Sequence, residues 1–294
     1  MVDPPVLTNV TEQFEEHRSR LRAVAYRLLG SLSEADDAVQ ETWLRLNRTD
    51  ASEIDNLGAW LTTVVARVSL NMLRSRRARR EELVDEQHLP EPILDRADGI
   101  DPEHEVLLAD AVGLALLVVL ENLSPPERLA FVLHDMFSVP FDEIGEIVDR
   151  SPDAARQLAS RARRRVRGAD PHPDADPAAQ REVIDAFLAA AREGDFDALL
   201  NVLDPEIVLR VDDGSGALRE VRGAANVGRR AIGYHALGLD IRVGLVNGAV
   251  GGVSFRNGKP FAVLAMTIRG GRIAEMNILS DPERLSELDL SVLA

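Results

Sequence analysis

Apolar residues recur every three or four positions through the first 80 residues, the period of helices that bury one face. Phe14, Leu21, Val24, Ala25 and Leu28 mark the first helix, ended by Gly30. Ser33 precedes a second amphipathic run, A-D-D-A-V-Q-E-T-W-L-R-L. Residues 56–80 predict a third helix, with Trp60, Leu61, Val64, Val65, Val68 and Leu73 inward. From Glu81 to Glu103 the period disappears. The chain there is acidic and proline-punctuated, with L-P-E-P at 89–92, and reads as a linker. An apolar helix is expected over 105–123, and Ser124-Pro125-Pro126-Glu127 starts another with a capping signature.

Two short helices joined by a tight turn come next. Phe141, Ile144, Ile147 and Val148 give the first an apolar face. Ser151 caps the second, Pro152 takes its first position, and Asp153 suits the positive end of the dipole. Ala155, Leu158, Ala159 and Ala162 form its inward stripe; Arg156, Gln157, Ser160, Arg161 and Arg164 face outward. This is a helix-turn-helix pattern, whose second helix enters the major groove, where Arg and Gln suit base edges. A-D-P-H-P-D-A-D-P, Ala169 to Pro177, reads as a second linker.

Beyond residue 177 the pattern changes. One or two helices are followed by β-type runs at Ile207–Val211, Ile241–Val246, Ala249–Phe255, Pro260–Ile268 and Arg272–Leu279. Asn257-Gly258 and Gly270-Gly271 are hairpin turns. Helices followed by a curved antiparallel sheet indicate an α+β domain. The expected division is 1–80, a linker at 81–104, 105–168, a linker at 169–177, and 178–294. The fold class is thus two all-α domains, the second with a helix-turn-helix, followed by an α+β domain.

Composition changes this picture in two places. There are no cysteines, which excludes disulfides, thiolate metal sites and cysteine nucleophiles. No apolar run approaches the roughly 18 residues of a membrane span, so a soluble, cytoplasmic protein without a membrane partner is expected. The net charge of −15 argues against nucleic acid until the arginines are located. Arg67, Arg74, Arg76, Arg77, Arg79 and Arg80 form one cluster without an acid, and Arg156 to Arg167 form another. Basic stripes on an acidic body bind phosphate locally and suppress indiscriminate binding elsewhere. Lys259 is the only lysine among 34 basic residues, a bias that a GC-rich genome explains more simply than function does.

On these motifs the first 170 residues resemble the extracytoplasmic-function (ECF) sigma factors of bacterial RNA polymerase. Asp36 to Leu46 is similar to the family's core-polymerase-binding helix, Ala59 to Arg77 to the segment that captures and melts the −10 element, and Leu123 to Arg167 to the −35 reader. The last domain resembles the SnoaL-like branch of the nuclear-transport-factor-like fold, as in the sigma-J-like group. That group's linker signature W-L-P-E-P appears here as His88-Leu89-Pro90-Glu91-Pro92, D-G-G-G-K as Asp213-Gly214-Ser215-Gly216-Ala217, and N-P-D-K-L as Asp281-Pro282-Glu283-Arg284-Leu285. The resemblance implies core RNA polymerase and promoter DNA as partners, no cofactor, no metal, no catalytic residue, and regulation by the last domain. It leaves open a small-molecule ligand in that domain's pocket and whether the domain activates or inhibits.

The residues carry matching chemistry. Asp37, Gln40 and Glu41 share one helix face that suits a basic partner, with Trp43 as an apolar anchor. Asn71 can meet an unstacked base edge, while Arg67, Arg74, Arg76 and Arg77 grip a single strand. In the last domain Leu89, Pro90, Glu91, Pro92, Asp213, Gly214, Gly216, Asp281, Pro282 and Leu285 are the candidate regulatory contacts. Asp212, Asp213, His235 and Asn277 also admit an acid–base site of the kind SnoaL-like cyclases use, although D-D-G-S-G reads more simply as a loop. Two competing readings are a one-component, ligand-sensing helix-turn-helix regulator and a cyclase or isomerase fused to a DNA-binding half.

Overall fold

The computed structural model describes residues 4–50, 54–82, 88–97, 99–108, 113–169, 173–174 and 176–293. They fall into two compact units. The first takes in residues within 1–83, 102–110 and 119–169; the second takes in residues within 84–101, 111–118 and 170–294.

The first unit is helical. Helices α1 (Pro4–Leu29), α2 (Leu32–Leu46) and α3 (Leu57–Glu82) pack together. Their core is the expected apolar stripe: Phe14, Leu21, Leu28, Val39, Leu46, Leu61, Val65 and Leu70 are buried, while Trp60 is only half-buried. Gly30 closes α1 at φ 71°, its N–H donating to the Tyr26 carbonyl at 2.7 Å. Ser31, rather than Ser33, caps α2, because its hydroxyl accepts the Glu34 N–H.

The helix expected over 105–123 is found as two, α4 (Pro102–Leu108) and α5 (Gly113–Glu121), with 109–112 outside the described residues. Ser124 and Glu127 form the capping box of α6 (Pro125–Phe131), which runs into a π-helical turn at Val132–Met136. Helix α7 (Phe141–Val148) ends on Asp149 in the left-handed region. Gly145 permits the sharp turn: a Cβ there would lie 2.8 Å from the Arg150 carbonyl oxygen. Helix α8 (Pro152–Ala169) buries Ala155, Ala159, Ala162 and Val166. Small residues on this stripe let α8 approach α6 and α7 closely.

The second unit is built on a seven-stranded sheet of order β1-β4-β5-β6-β7-β2-β3. Its strands are β1 (Leu94–Asp95), β2 (Leu203–Asp212), β3 (Arg219–Arg222), β4 (Asp240–Val246), β5 (Ala249–Arg256), β6 (Lys259–Arg269) and β7 (Arg272–Leu279). The sheet is not wholly antiparallel as expected, for β2 runs parallel to β7. Strands β4 to β7 form a continuous meander, and β2 adds to its far edge through a long connection that includes β3 and helix α11 (Ala224–His235). Helices α9 (Pro177–Glu193), α10 (Phe196–Val202) and α11 cover one face, burying Ile184, Phe187, Leu199, Val227, Leu264 and Met276 in a common core. Hairpin turns fall at Asn257-Gly258 and Gly270-Gly271 as expected and also at Asn247-Gly248, each pair with positive φ at both residues.

Neither proline-rich segment is a bare spacer. Leu94 and Asp95 pair with Val246 and Leu245 as an edge strand, and Ile93 exchanges hydrogen bonds with Asn247. The Asp174 carboxylate accepts the Gly270 and Gly271 N–H groups at 3.0 Å each, and its own N–H donates to the Ile268 carbonyl. Prolines exclude helix but leave extended backbone whose remaining polar groups can complete a sheet edge.

Candidate nucleic-acid interface

On α2 the residues Asp36, Asp37 and Gln40 are exposed, and Glu41 and Trp43 are half-buried. Asp36 is paired with Arg22 at 2.6 Å and Glu41 with Arg45 at 2.8 Å. The Trp43 ring lies 4.9 Å from that of Phe14, so the tryptophan partly completes the helical core. Leu44, 41 % exposed, continues the line of Asp37, Gln40 and Glu41 at helical spacing. Sequence reading missed it because a leucine in an amphipathic run is ordinarily assigned inward. The result is an acidic face with one open apolar residue.

On α3, Arg67, Asn71, Arg74 and Arg77 are exposed. Residues 67, 71 and 74 lie on one stripe, and the Arg67 guanidinium donates to the Glu146 carbonyl of α7 at 3.4 Å. Arg76 departs from the expected set. It is half-buried, pairs with Glu34, and donates to the Leu29 carbonyl at 3.1 Å. Two residues past Arg74, it lies on the opposite side of the helix from the 67–71–74 stripe and faces the helix bundle, so it serves the packing of that bundle.

On α8 all five expected residues are exposed, but they are not equivalent. Arg161 and Arg165 both reach Glu127, at 3.1 and 3.0 Å, and Arg163 pairs with Asp135 at 2.5 Å. Glu127 is 6 % exposed. Burial pushes its carboxyl up, but the Ser124 hydroxyl and N–H, with Arg165 and Arg161, outweigh that and hold it below its usual range. These arginines tie α8 to the start of α6, so Arg161 is engaged within its own domain. Arg156 pairs with Asp153 at 2.6 Å and stacks over Phe141. Gln157, Ser160 and Arg164 remain as an outward stripe at spacings of three and four.

In the second unit the three motif segments converge. Asp212 is 2 % exposed, and its carboxylate accepts the Leu89 N–H at 2.8 Å and pairs with Arg284 at 2.5 Å. Arg284 also donates to the Leu89 carbonyl at 2.7 Å, and His88 Nδ1 lies 3.5 Å from the same carboxylate. Leu89, Pro90, Pro92 and Leu285 are buried, whereas Glu91 is half-buried and Pro282 exposed. Gly214, at φ 76°, sits against Asp281: a Cβ there would come within 2.9 Å of that carboxyl carbon. Asp281 itself caps α12 (Pro282–Glu287), and Gly216 also has positive φ. Asp213 pairs with Arg219, and the Ser215 contacts hold its carboxyl below the usual range.

This arrangement disposes of Asp212 as a free acid, since main-chain and arginine contacts occupy its carboxylate. Sequence reading missed Arg284 and misjudged Asp212, because an Asp-Asp-Gly run looks solvated when its long-range partners are unknown. A cavity of about 280 Å³ lies within this unit, lined by α9, α11 and the sheet. His235 lines it; Asn277 does not, being buried elsewhere with its Oδ1 unpartnered among the described residues.

Residues 13–79 match Sigma-70 region 2, and residues 113–166 match Sigma-70, region 4. The chain is similar to the ECF RNA polymerase sigma factor SigJ of Mycobacterium tuberculosis, 38% identical over 93% of this chain and 92% of that protein. It is 35% identical to the probable ECF RNA polymerase sigma factor SigI of the same species, over 95% of this chain and 96% of the relative. The crystal structure of the Mycobacterium tuberculosis SigJ matches with a TM-score of 0.75 at 35% sequence identity, covering 95% of this chain and 99% of that one. Two sigma helical regions in order, an α+β domain behind them, and likeness along nearly the whole length agree: the chain belongs to the ECF RNA polymerase sigma factors and is an alternative sigma factor.

Proposed function

We propose that the chain recruits core RNA polymerase through Asp37, Gln40, Glu41 and Leu44, and reads promoters with two separate stripes. Asn71 and Arg74, with Arg67 and Arg77, meet the single-stranded −10 element. Gln157, Ser160 and Arg164, with Arg156 at the edge, meet the −35 element in the major groove. Most of the affinity comes from phosphate contacts, and base edges supply promoter choice. The observation that carries this reading is the outward stripe of α8, which the pairing of Arg161, Arg163 and Arg165 to their own domain leaves facing solvent.

The last domain regulates this activity in cis and performs no chemistry of its own. What supports this is the contact of Asp212 and Arg284 with Leu89. The described residues within 84–101 lie in sequence between α3 and α4, two helices of the first unit, yet they group with the sheet. Releasing Leu89 therefore alters the tether between the two sigma regions. The test is run-off transcription with core polymerase. Wild type should initiate at a promoter subset, and Asp212→Asn should change the yield in either direction. Template binding and repression without core enzyme would instead establish a one-component regulator.

A further inference from the structure

The cavity of the α+β domain has a chemical character beyond the proposed promoter function. Its walls are Phe187 and Leu188 of α9, Leu209 and Val211 of β2, and Phe261, Leu264, Met276 and Ile278 of the sheet. Among the described residues no aspartate or glutamate lines it. Its polar lining is Arg219, Arg230, Tyr234, His235 and Ser280.

Three of these groups are already committed. Arg219 pairs with Asp213. The Tyr234 hydroxyl hydrogen-bonds Ser254 at 3.0 Å, and burial pushes that phenol up, so it stays protonated. The Ser280 hydroxyl donates to the Asp212 carbonyl at 3.3 Å. The side chains of Arg230 and His235, both on α11, make no hydrogen bond or ion pair among the described residues. An apolar hollow with an uncommitted guanidinium on its lining rejects cations, because no carboxylate offsets the charge. It also disfavours small polar solutes, which would lose water without recovering hydrogen bonds from the walls.

We infer that this cavity is a binding site for an apolar organic monoanion, its hydrocarbon or aromatic body among Phe187, Leu264 and Met276 and its acidic group on Arg230. The size lies at the small end of ligand pockets, which selects a compact molecule. Val211 and Ser280 line the hollow and flank the Asp212 contact in space: Val211 precedes Asp212 in the chain, and the Ser280 N–H donates to the Asp212 carbonyl at 2.7 Å. An occupant therefore touches the residues next to the Leu89 attachment.

The test is a fluorescence titration of the full-length protein with two probes of one ring system, 8-anilinonaphthalene-1-sulfonate and the uncharged N-phenyl-1-naphthylamine. Wild type should bind one equivalent of the sulfonate, at least tenfold tighter than the neutral probe. Arg230→Gln, a change at an exposed position, should weaken the sulfonate about tenfold and leave the neutral probe unchanged. Ala231→Phe, which fills the hollow, should abolish both while melting cooperatively by circular dichroism. If that variant does not melt cooperatively, Arg230→Gln decides alone. Equal affinity for the two probes in wild type, or a sulfonate affinity unchanged in Arg230→Gln, overturns the inference. Because no polymerase is present, the result is independent of whether the promoter assignment holds.

Discussion

The helical unit and the sheet unit use charge in opposite ways. In the helical unit the side chains assigned to function lie outside: Asp37, Gln40, Asn71, Arg74, Gln157 and Arg164 are exposed and fall on helical stripes. In the sheet unit the charges that organise the motifs lie inside. Asp212 is nearly inaccessible and is matched by Arg284 and the Leu89 backbone. Exposed charge costs little to keep and little to lose, whereas buried charge is costly unless every partner is present. Substitutions at these two sets of residues should therefore differ in kind: the first should change binding and leave stability, the second should change stability first.

The most direct attempt to break this contrast is Arg284→Met. It leaves Asp212 buried without its cation and should cost about 3 kcal/mol in urea unfolding, as breaking a buried pair does. Arg284→Lys should recover part, since an ammonium cannot span both Asp212 and the Leu89 carbonyl as the guanidinium does. A loss no larger than that of an exposed arginine would erase the distinction.

Gly145→Ala sharpens it, being, like Arg161 and Glu127, a stability position inside the helical unit. The added Cβ meets backbone at 2.8 Å and should cost roughly 1–3 kcal/mol, the range for overpacking. The measurement is the thermal midpoint together with −35 binding, and both should fall.

Gln157→Ala should leave the melting temperature alone and cost about 1 kcal/mol of promoter binding, relaxing choice at one base pair. Arg164→Ala should weaken all promoters alike and lower the salt slope by about 1. Arg161→Ala should behave otherwise, with reduced stability and little change in base preference, because Arg161 holds Glu127. Gel-shift titrations on single-base −35 variants separate these outcomes.

The smallest effect is in pH. The Glu127 carboxyl is lowered in the folded protein, so its contribution is fully present above the unfolded value of about 4.3 and is lost as pH falls through the lower folded value. Glu127→Gln should flatten that acid limb and be least stable relative to wild type near neutrality. Parallel denaturation curves for the two proteins between about pH 3 and 6 would contradict this sign.

The helices were legible because their information is local. Apolar spacing placed the core faces of α1, α3 and α7, and the Ser124–Glu127 capping box is visible in four residues. The outward stripe of α8 followed from the same period. What failed was discrimination within the stripes: Arg76 and Arg161 look like their neighbours until their partners, Glu34 and Glu127, come from other helices. In the sheet unit the hairpin glycines were readable, but β1, β3 and the parallel β2–β7 pairing were not. Two residues of strand carry no period, and register between distant strands has no local signature.

The sequence alone therefore determined the helices of the first unit, the helix-turn-helix, the strands β4 to β7, and where basic charge concentrates. Each is written in spacings of two to four residues. It did not place α11 between β3 and β4. Only the tertiary structure decided which arginines face outward, that the proline-rich segment at 88–95 is anchored on the sheet, and that Asp212 is a contact and not a free acid. Those outcomes depend on groups distant in the chain meeting in the fold: Arg161 and Glu127 are 34 residues apart, and Leu89 and Arg284 are 195 apart. For the buried Asp212 a charge without its partner would not be kept.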